Sequence, residues 1–212
     1  PYPSPRNFQQ GNHLRFKTQK RLIPILTDGV PMWKKVSSQL QYSSSHLQVR
    51  EDQVELPTGS QISFSTLDLP DFATVLPLTS HHIIMIRNYR YPAKKWFLEL
   101  PSGTLNEGET PLQGAQRELQ EETGYQGRFS SITWYHPISR SHQKAHIFLA
   151  THLQKGDPCR DSTEHQQVVP VSVSQALNIL DQGELRHAPT IIALSVCRNL
   201  LQKTGRPKGE FE

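Results

Sequence analysis

Residues 103–125, "GTLNEGETPLQGAQRELQEETGY", constrain this chain more than any other stretch. Thr110 has the chemistry of an N-cap, Pro111 suits the first helical position, and Gln113 completes a capping box. Gly124 is a natural C-terminal stop. The spacing predicts a helix from Pro111 to Thr123, with Leu112, Ala115 and Leu119 on the face packed against a sheet. Glu118 and Glu122 then project side by side, and Glu121 sits on the same flank. Arg117, one turn before Glu121, is placed to hold it. Like charges at this spacing cost a helix about 0.2–0.5 kcal/mol per pair. They also crowd the C-terminal half, where the helix dipole disfavours anions. A hard dication removes that conflict. Oxygen-rich clusters suit Mg2+ or Mn2+, and Mg2+ commonly joins carboxylates to substrate phosphates. Gly103 allows a tight turn before the helix and a close approach of backbone to a ligand. A solvated acidic helix face is the competing explanation of such a run.

The rest of the chain divides around this segment. Residues 1–31 form a tail with prolines at positions 1, 3, 5, 24 and 31. Arg6, Arg15, Lys17, Lys20 and Arg21 precede the first acid, Asp28, so an organelle-targeting leader is an alternative. Residues 32–67 alternate in a strand-like way through Val36, Leu40, Tyr42, Leu47, Val49, Val54, Leu56, Ile62 and Phe64, with "PTG" at 57–59 as a turn. They predict a small antiparallel sheet. Residues 68–205 form the main domain and 206–212 a second tail. Strands are expected at 72–78 and 82–89, as a strand pair, and at 96–101, 130–135, 145–153 and 167–173, the last at a sheet edge or bulge because of Pro170. One late helix is expected to be capped by Ser174 and stopped by Gly183; another runs from Pro189 to Gly205. Strands flanked by helices make a layered α/β domain.

Composition excludes several classes. No apolar run approaches the length of a membrane span. Net charge is +4, but the basic residues are dispersed, so nucleic acid is not indicated as a partner. Cys159 and Cys197 form no CxxC, which suits a reducing, cytoplasmic compartment and two ordinary thiols. His81, His82, His142 and His146 lack a zinc-site pattern and are read as strand-end or surface residues.

Gly103, Glu109, Arg117, Glu118, Leu119, Glu121, Glu122, Gly124 and Tyr125 fill every fixed place of the pattern G-x5-E-x7-R-E-U-x-E-E-x-G-U, where U is bulky and apolar. On these residues the chain is identified as a member of the Nudix hydrolases. The flanks "RNYRYPAKKWFLELPSG" and "DSTEHQQVVPVSVSQALNILDQGELRHAPTIIAL" resemble the ADP-ribose pyrophosphatase branch, and the similarity spans residues 33–202. The resemblance implies a Nudix α/β/α sandwich with a mixed sheet, plus a small N-terminal antiparallel sheet. It implies Mg2+- or Mn2+-dependent hydrolysis of a nucleoside diphosphate sugar; ADP-ribose would give AMP and ribose 5-phosphate.

The same resemblance makes Glu118 and Glu122 metal ligands together with the Ser102 carbonyl, and Glu121 a further ligand or the catalytic base. Glu109, Arg117 and Gly124 are structural members of the motif. Glu164 is the late-loop base or extra ligand, although Ser162 stands where relatives carry an acid; it could equally be a solvated loop residue. Arg90 would clamp a phosphate, or be a surface strand arginine. Glu99 and Gly103 would lie in the substrate pocket, or Glu99 would close a strand-end salt bridge. Ser139-Arg140 stands where ADP-ribose enzymes tend to carry Pro-Gly. Arg140 could therefore meet a phosphorylated or bulkier group, or belong to a solvated basic loop. The branch also implies a homodimer, with Trp33, Tyr42 or Phe64 available to stack on adenine. Rival readings are a dinucleotide substrate such as NADH, a dinucleoside polyphosphate, and a ligand-sensing domain without catalysis.

Overall fold

A computed structural model describes residues 32–156 and 166–204. In chain order the strands are β1 (Lys34–Ser43), β2 (Gln48–Glu55), β3 (Gln61–Asp68), β4 (Phe72–Pro77), β5 (His82–Arg90), β6 (Lys95–Glu99), β7 (Ser102–Thr104), β8 (Tyr125–Tyr135), β9 (Ala145–Lys155) and β10 (Gln167–Ser172). The helices are α1 (Pro111–Thr123), α2 (Val173–Asp181) and α3 (Ala188–Thr204). The main domain holds a mixed sheet in the order β7-β4-β9-β8 and an antiparallel sheet in the order β10-β5-β6. Only the β4–β9 pair of the mixed sheet is parallel.

Period-two alternation divides the core. Ala73 and Val75 of β4, with Phe148 and Ala150 of β9, cluster with Ala115 and Leu119 of α1. The intervening residues Leu76, Ile147 and Leu149 join Ile83, Met85 and Leu100 on the other side, under Ala176 of α2 and Ala193, Leu194, Cys197 and Leu201 of α3. Helices thus cover both faces, the Nudix sandwich expected from sequence. Cys197 is a free thiol inside this second core, and burial pushes it up to about 11. Cys159 lies outside the described residues, as do residues 1–31 and 205–212. Among the described residues no helix is long and apolar enough to cross a membrane.

Helix α1 begins and ends where its caps dictate. The Thr110 hydroxyl accepts the Gln113 N–H at 3.3 Å, and the Gln113 side chain accepts the Thr110 N–H at 2.9 Å. Gly124 closes it in the left-handed region, φ 76°. One expectation fails here. Leu112 is 42% exposed, and the buried face instead carries Gly114, Ala115, Glu118, Leu119, Glu122 and Thr123. Leu105 folds over Gly114, where any side chain would collide with it. The charged pair therefore shares the buried stripe.

The expected pairing of 72–78 with 82–89 is not formed: β4 and β5 lie in different sheets and the two runs pair only in the bridge Leu78–Ile83, because β4 pairs with β9 and β5 with β10 and β6. Other departures are local. β8 starts at Tyr125 rather than near residue 130, because the turn at Gly124 feeds the chain straight into pairing with the far end of β9. Ser172, not Ser174, caps α2 by accepting the Gln175 N–H at 3.2 Å, and its C-cap is Gln182 rather than Gly183. The short strand β7 has too few residues to show periodicity and was not expected. Pro170 lies on the edge strand β10, where a missing N–H is tolerated.

The N-terminal segment forms the antiparallel sheet β1-β2-β3. Its predicted turn closes through the Leu56 N–H donating to Ser60 O at 2.8 Å, with Gly59 at φ 84°. The loop before β9 fastens this sheet to the main domain: the Leu67 N–H donates to Arg140 O at 2.8 Å. β1 is exposed along its whole length and presents Val36, Leu40 and Tyr42, with Trp33 just before it.

Candidate active site

Arg117 anchors the segment around α1. Its Nε and Nη2 donate to Glu109 at 2.9 Å each, and Nη2 also donates to Thr104 O at 2.9 Å. Its Nη1 donates to Glu118 at 2.6 Å and Glu121 at 3.0 Å. One guanidinium therefore ties the loop before the helix to two of the crowded carboxylates. The Arg117 donors hold Glu109 below the usual carboxylate range, aided by the Asn106 N–H at 2.8 Å, and the acids in turn raise Arg117.

Glu118 and Glu122 point from α1 toward the β6–β7 connection. A Cβ at Gly103 would occupy the space of the Glu118 carboxylate, so only glycine lets backbone and carboxylate approach this closely. Glu122 accepts the Ser102 N–H at 2.8 Å and the Gln166 side-chain amide at 2.9 Å. Both glutamates are buried, whereas the Glu121 side chain is 43% exposed. The peptide at 102–103 and two carboxylates thus face one another. Gln166 Oε1 is buried with no hydrogen-bond partner.

Two further sequence candidates, Arg90 and Glu99, lie on β5 and β6. Glu99 is 0% exposed, and Arg90 donates to it twice, from Nε at 2.8 Å and Nη2 at 2.6 Å. The paired donors expected to clamp a phosphate are thus engaged with Glu99, in the manner of a bidentate ion pair. Of the alternatives for Glu99, the structure shows the salt-bridge partner. Arg90→Ala leaves the buried Glu99 carboxylate with the Asn88 amide at 3.5 Å in place of an ion pair, so the urea midpoint is expected to fall by an equivalent of about 1–3 kcal/mol. An unchanged midpoint in equilibrium unfolding would show that Glu99 is compensated without Arg90.

His187 borders this pair. Burial pushes its imidazole down to about 4 from an ordinary 6.5, with Glu99 opposing and Arg90 reinforcing the shift. Between these values the unfolded chain binds more protons than the folded one, so stability falls as pH drops through the window. About 2 kcal/mol, discounted for partial exposure, should be present above pH 6.5 and lost toward pH 4. Urea midpoints at pH 7 and pH 5 should differ less in His187→Gln than in the unsubstituted protein.

The remaining sequence candidates fall elsewhere. Arg140 donates to Ser65 O at 3.2 Å and stacks over the Phe64 ring at 4.6 Å, so its described contacts are with β3. Lys144 lies over Trp134 and His142 sits 3.1 Å from Asp68, so this basic loop is largely engaged in local contacts. Trp33 meets Phe64 edge to face at 5.7 Å. Glu164 lies outside the described residues. Sequence reasoning missed Gln166, which donates to Glu122, and the pair His187 and Thr190, whose Nδ1 and hydroxyl lie 2.9 Å apart. No periodic or motif signal marks Gln166, while a His and a Thr at a helix start resemble ordinary capping groups.

The NUDIX domain family matches residues 69–194. The chain belongs to the Nudix hydrolases. Residues 33–64 of this Nudix hydrolase match the nucleoside diphosphate sugar hydrolase N-terminal domain. An ADP-ribose pyrophosphatase of Bacillus subtilis (strain 168) is 31% identical over 166 residues, covering 76% of this chain and 90% of the relative. An ADP-sugar pyrophosphatase of Mus musculus is 37% identical over 89 residues, 36% of this chain and 41% of the relative. The crystal structure of an ADP compounds hydrolase shares the fold with a TM-score of 0.72 at 21% identity, covering 84% of this chain and 97% of that one.

Members of this family generally depend on a divalent metal, and the residues fit a hard cation. The donors are oxygens, Gly103 keeps main chain against the Glu118 carboxylate, and Gln166, whose amide donates to Glu122, has a buried oxygen without a partner. Among the described residues no three His, Cys, Asp or Glu side chains are grouped so as to hold a metal ion by themselves.

Proposed function

We propose that this Nudix hydrolase cleaves the pyrophosphate bond of ADP-ribose or a related nucleoside diphosphate sugar, yielding a nucleoside monophosphate and a sugar phosphate. The carrying observation is the buried Glu118–Glu122 pair set against a peptide that only glycine at 103 allows so close. The N-terminal match and the names of the two relatives support the substrate class.

Glu118, Glu122 and the Ser102 carbonyl would hold Mg2+ or Mn2+. When bound, such an ion offsets the charge of the pyrophosphate and makes a coordinated water more acidic. Arg117 holds Glu118 and Glu121 in place, so orientation is fixed before substrate arrives. Glu121, the most exposed of the three, is the proposed acceptor of the water proton or a further ligand, with Glu164 the other candidate base. The Arg90–Glu99 pair would orient the substrate beside this cluster. The exposed β1 face is proposed to pair with a second copy, giving a homodimer.

Incubation with ADP-ribose, ADP-glucose, GDP-mannose and NADH in the presence of Mg2+, with products resolved by chromatography, tests the reading. Mononucleotide release from the sugar substrates supports it. Release from NADH alone reassigns the substrate to dinucleotides, and no release from any substrate overturns the reading in favour of a sensor.

A further inference from the structure

The connection from β6 to β7 carries both Glu99 and Ser102, and it is pinned at successive residues by different elements. Leu100 N–H donates to the Thr190 hydroxyl at 2.8 Å, Val75 N–H of β4 donates to Pro101 O at 2.9 Å, and Ser102 N–H donates to Glu122 of α1 at 2.8 Å. The β4 and α1 contacts are part of the local sheet and motif. The Thr190 contact joins residues 90 positions apart in sequence.

Thr190 stands in the first turn of α3 and is 0% exposed. A hydroxyl at such a position ordinarily serves its own helix. Here its oxygen accepts from Leu100, and His187 Nδ1 lies 2.9 Å from the same oxygen. With the imidazole proton on Nε2, Nδ1 accepts the hydroxyl hydrogen, and both donor and acceptor capacities of the hydroxyl are then used. Burial keeps the ring neutral at ordinary pH. The result is a strut from α3 to the peptide between Glu99 and Ser102. Leu100 is itself fully buried, so an unmade bond at its N–H could not be replaced by bulk water.

We propose that Thr190, oriented by His187, is a positioning residue of the hydrolytic site, holding the 100–102 backbone so that the Ser102 carbonyl stays in register with Glu118 and Glu122. This rests on the metal-site reading given above. Neither side chain is assigned contact with the reacting atoms; both act through the backbone they fix. A purely structural pair would contribute stability alone, whereas a positioning pair also sets metal affinity.

The test is Mn2+ binding measured by calorimetry on the whole chain, alongside turnover of ADP-ribose. Thr190→Val keeps shape and removes the hydroxyl. We expect its Mn2+ dissociation constant to rise about tenfold, and kcat to fall while KM for substrate at saturating metal stays unchanged. Thr190→Ser restores the hydroxyl and is expected to recover both. A folded Thr190→Val protein, judged by circular dichroism, that binds Mn2+ and turns over like the parent overturns the proposal. So does a Thr190→Ser protein that remains as impaired as Thr190→Val. If Thr190→Val does not fold, His187→Leu carries the test: weaker Mn2+ binding supports the strut and unchanged binding overturns it. If the parent itself binds no Mn2+, the metal-site reading fails, and the proposal falls with it.

Discussion

Glu122→Gln is expected to lower kcat by about two to three orders of magnitude while the protein stays folded. The geometry explains both halves. Glu122 accepts the Ser102 N–H through one oxygen and the Gln166 amide through the other. A glutamine at this position keeps an oxygen for Ser102, and its new amide group meets Gln166. Gln166 can then turn its amide so that the oxygen, now without a partner, accepts instead. These two hydrogen bonds survive, and the change in unfolding free energy is expected to stay within about 1 kcal/mol. The negative charge does not survive. Equilibrium unfolding and initial rates at saturating Mg2+ separate the two effects. A rate equal to that of the parent would remove Glu122 from the metal site. A collapse of stability would make its role structural.

Gly103→Ala is the second large effect. The added methyl group would fall on the Glu118 carboxylate. That carboxylate is the far end of a flexible side chain, so it can swing aside more cheaply than backbone could move. The fold should therefore persist with a modest loss of stability, while Glu118 leaves its place and its bond from Arg117 is strained or broken. Metal affinity, read as the dissociation constant for Mn2+ by calorimetry, is expected to weaken at least about tenfold, with activity falling alongside. Retained affinity would mean that Glu118 does not need its present position. The pair of variants is informative together: one removes a charge and keeps geometry, the other keeps every charge and moves one carboxylate.

Much of this site was legible in the chain because its information is local. Thr110, Gln113 and Gly124 define the helix through bonds spanning three or four residues. The side-by-side placement of Glu118 and Glu122, and the reach of Arg117 to Glu121, follow from helical spacing alone. The strands β4 and β9 were also visible as short apolar runs, but which of their residues face which core emerged only in the structure. Errors came where distant residues compete for a position. Leu112 has the spacing of a buried residue, yet Leu105 from the preceding loop packs over Gly114 and leaves Leu112 exposed. Ser174 looks like a cap, yet α2 begins earlier because Ser172 ends a strand paired with His82.

By itself the sequence determined the helix, its caps, the carboxylate stripe and the two-sided sheet, because periodicity and capping are settled between near neighbours. Only the tertiary structure decided that Arg90 spends its paired donors on buried Glu99, that Gln166 reaches Glu122, and that Thr190 grips Leu100. These partners lie 9, 44 and 90 residues apart. No local pattern encodes such a pairing; it follows from how two sheets and three helices close on one another and which polar groups they then shut away from water.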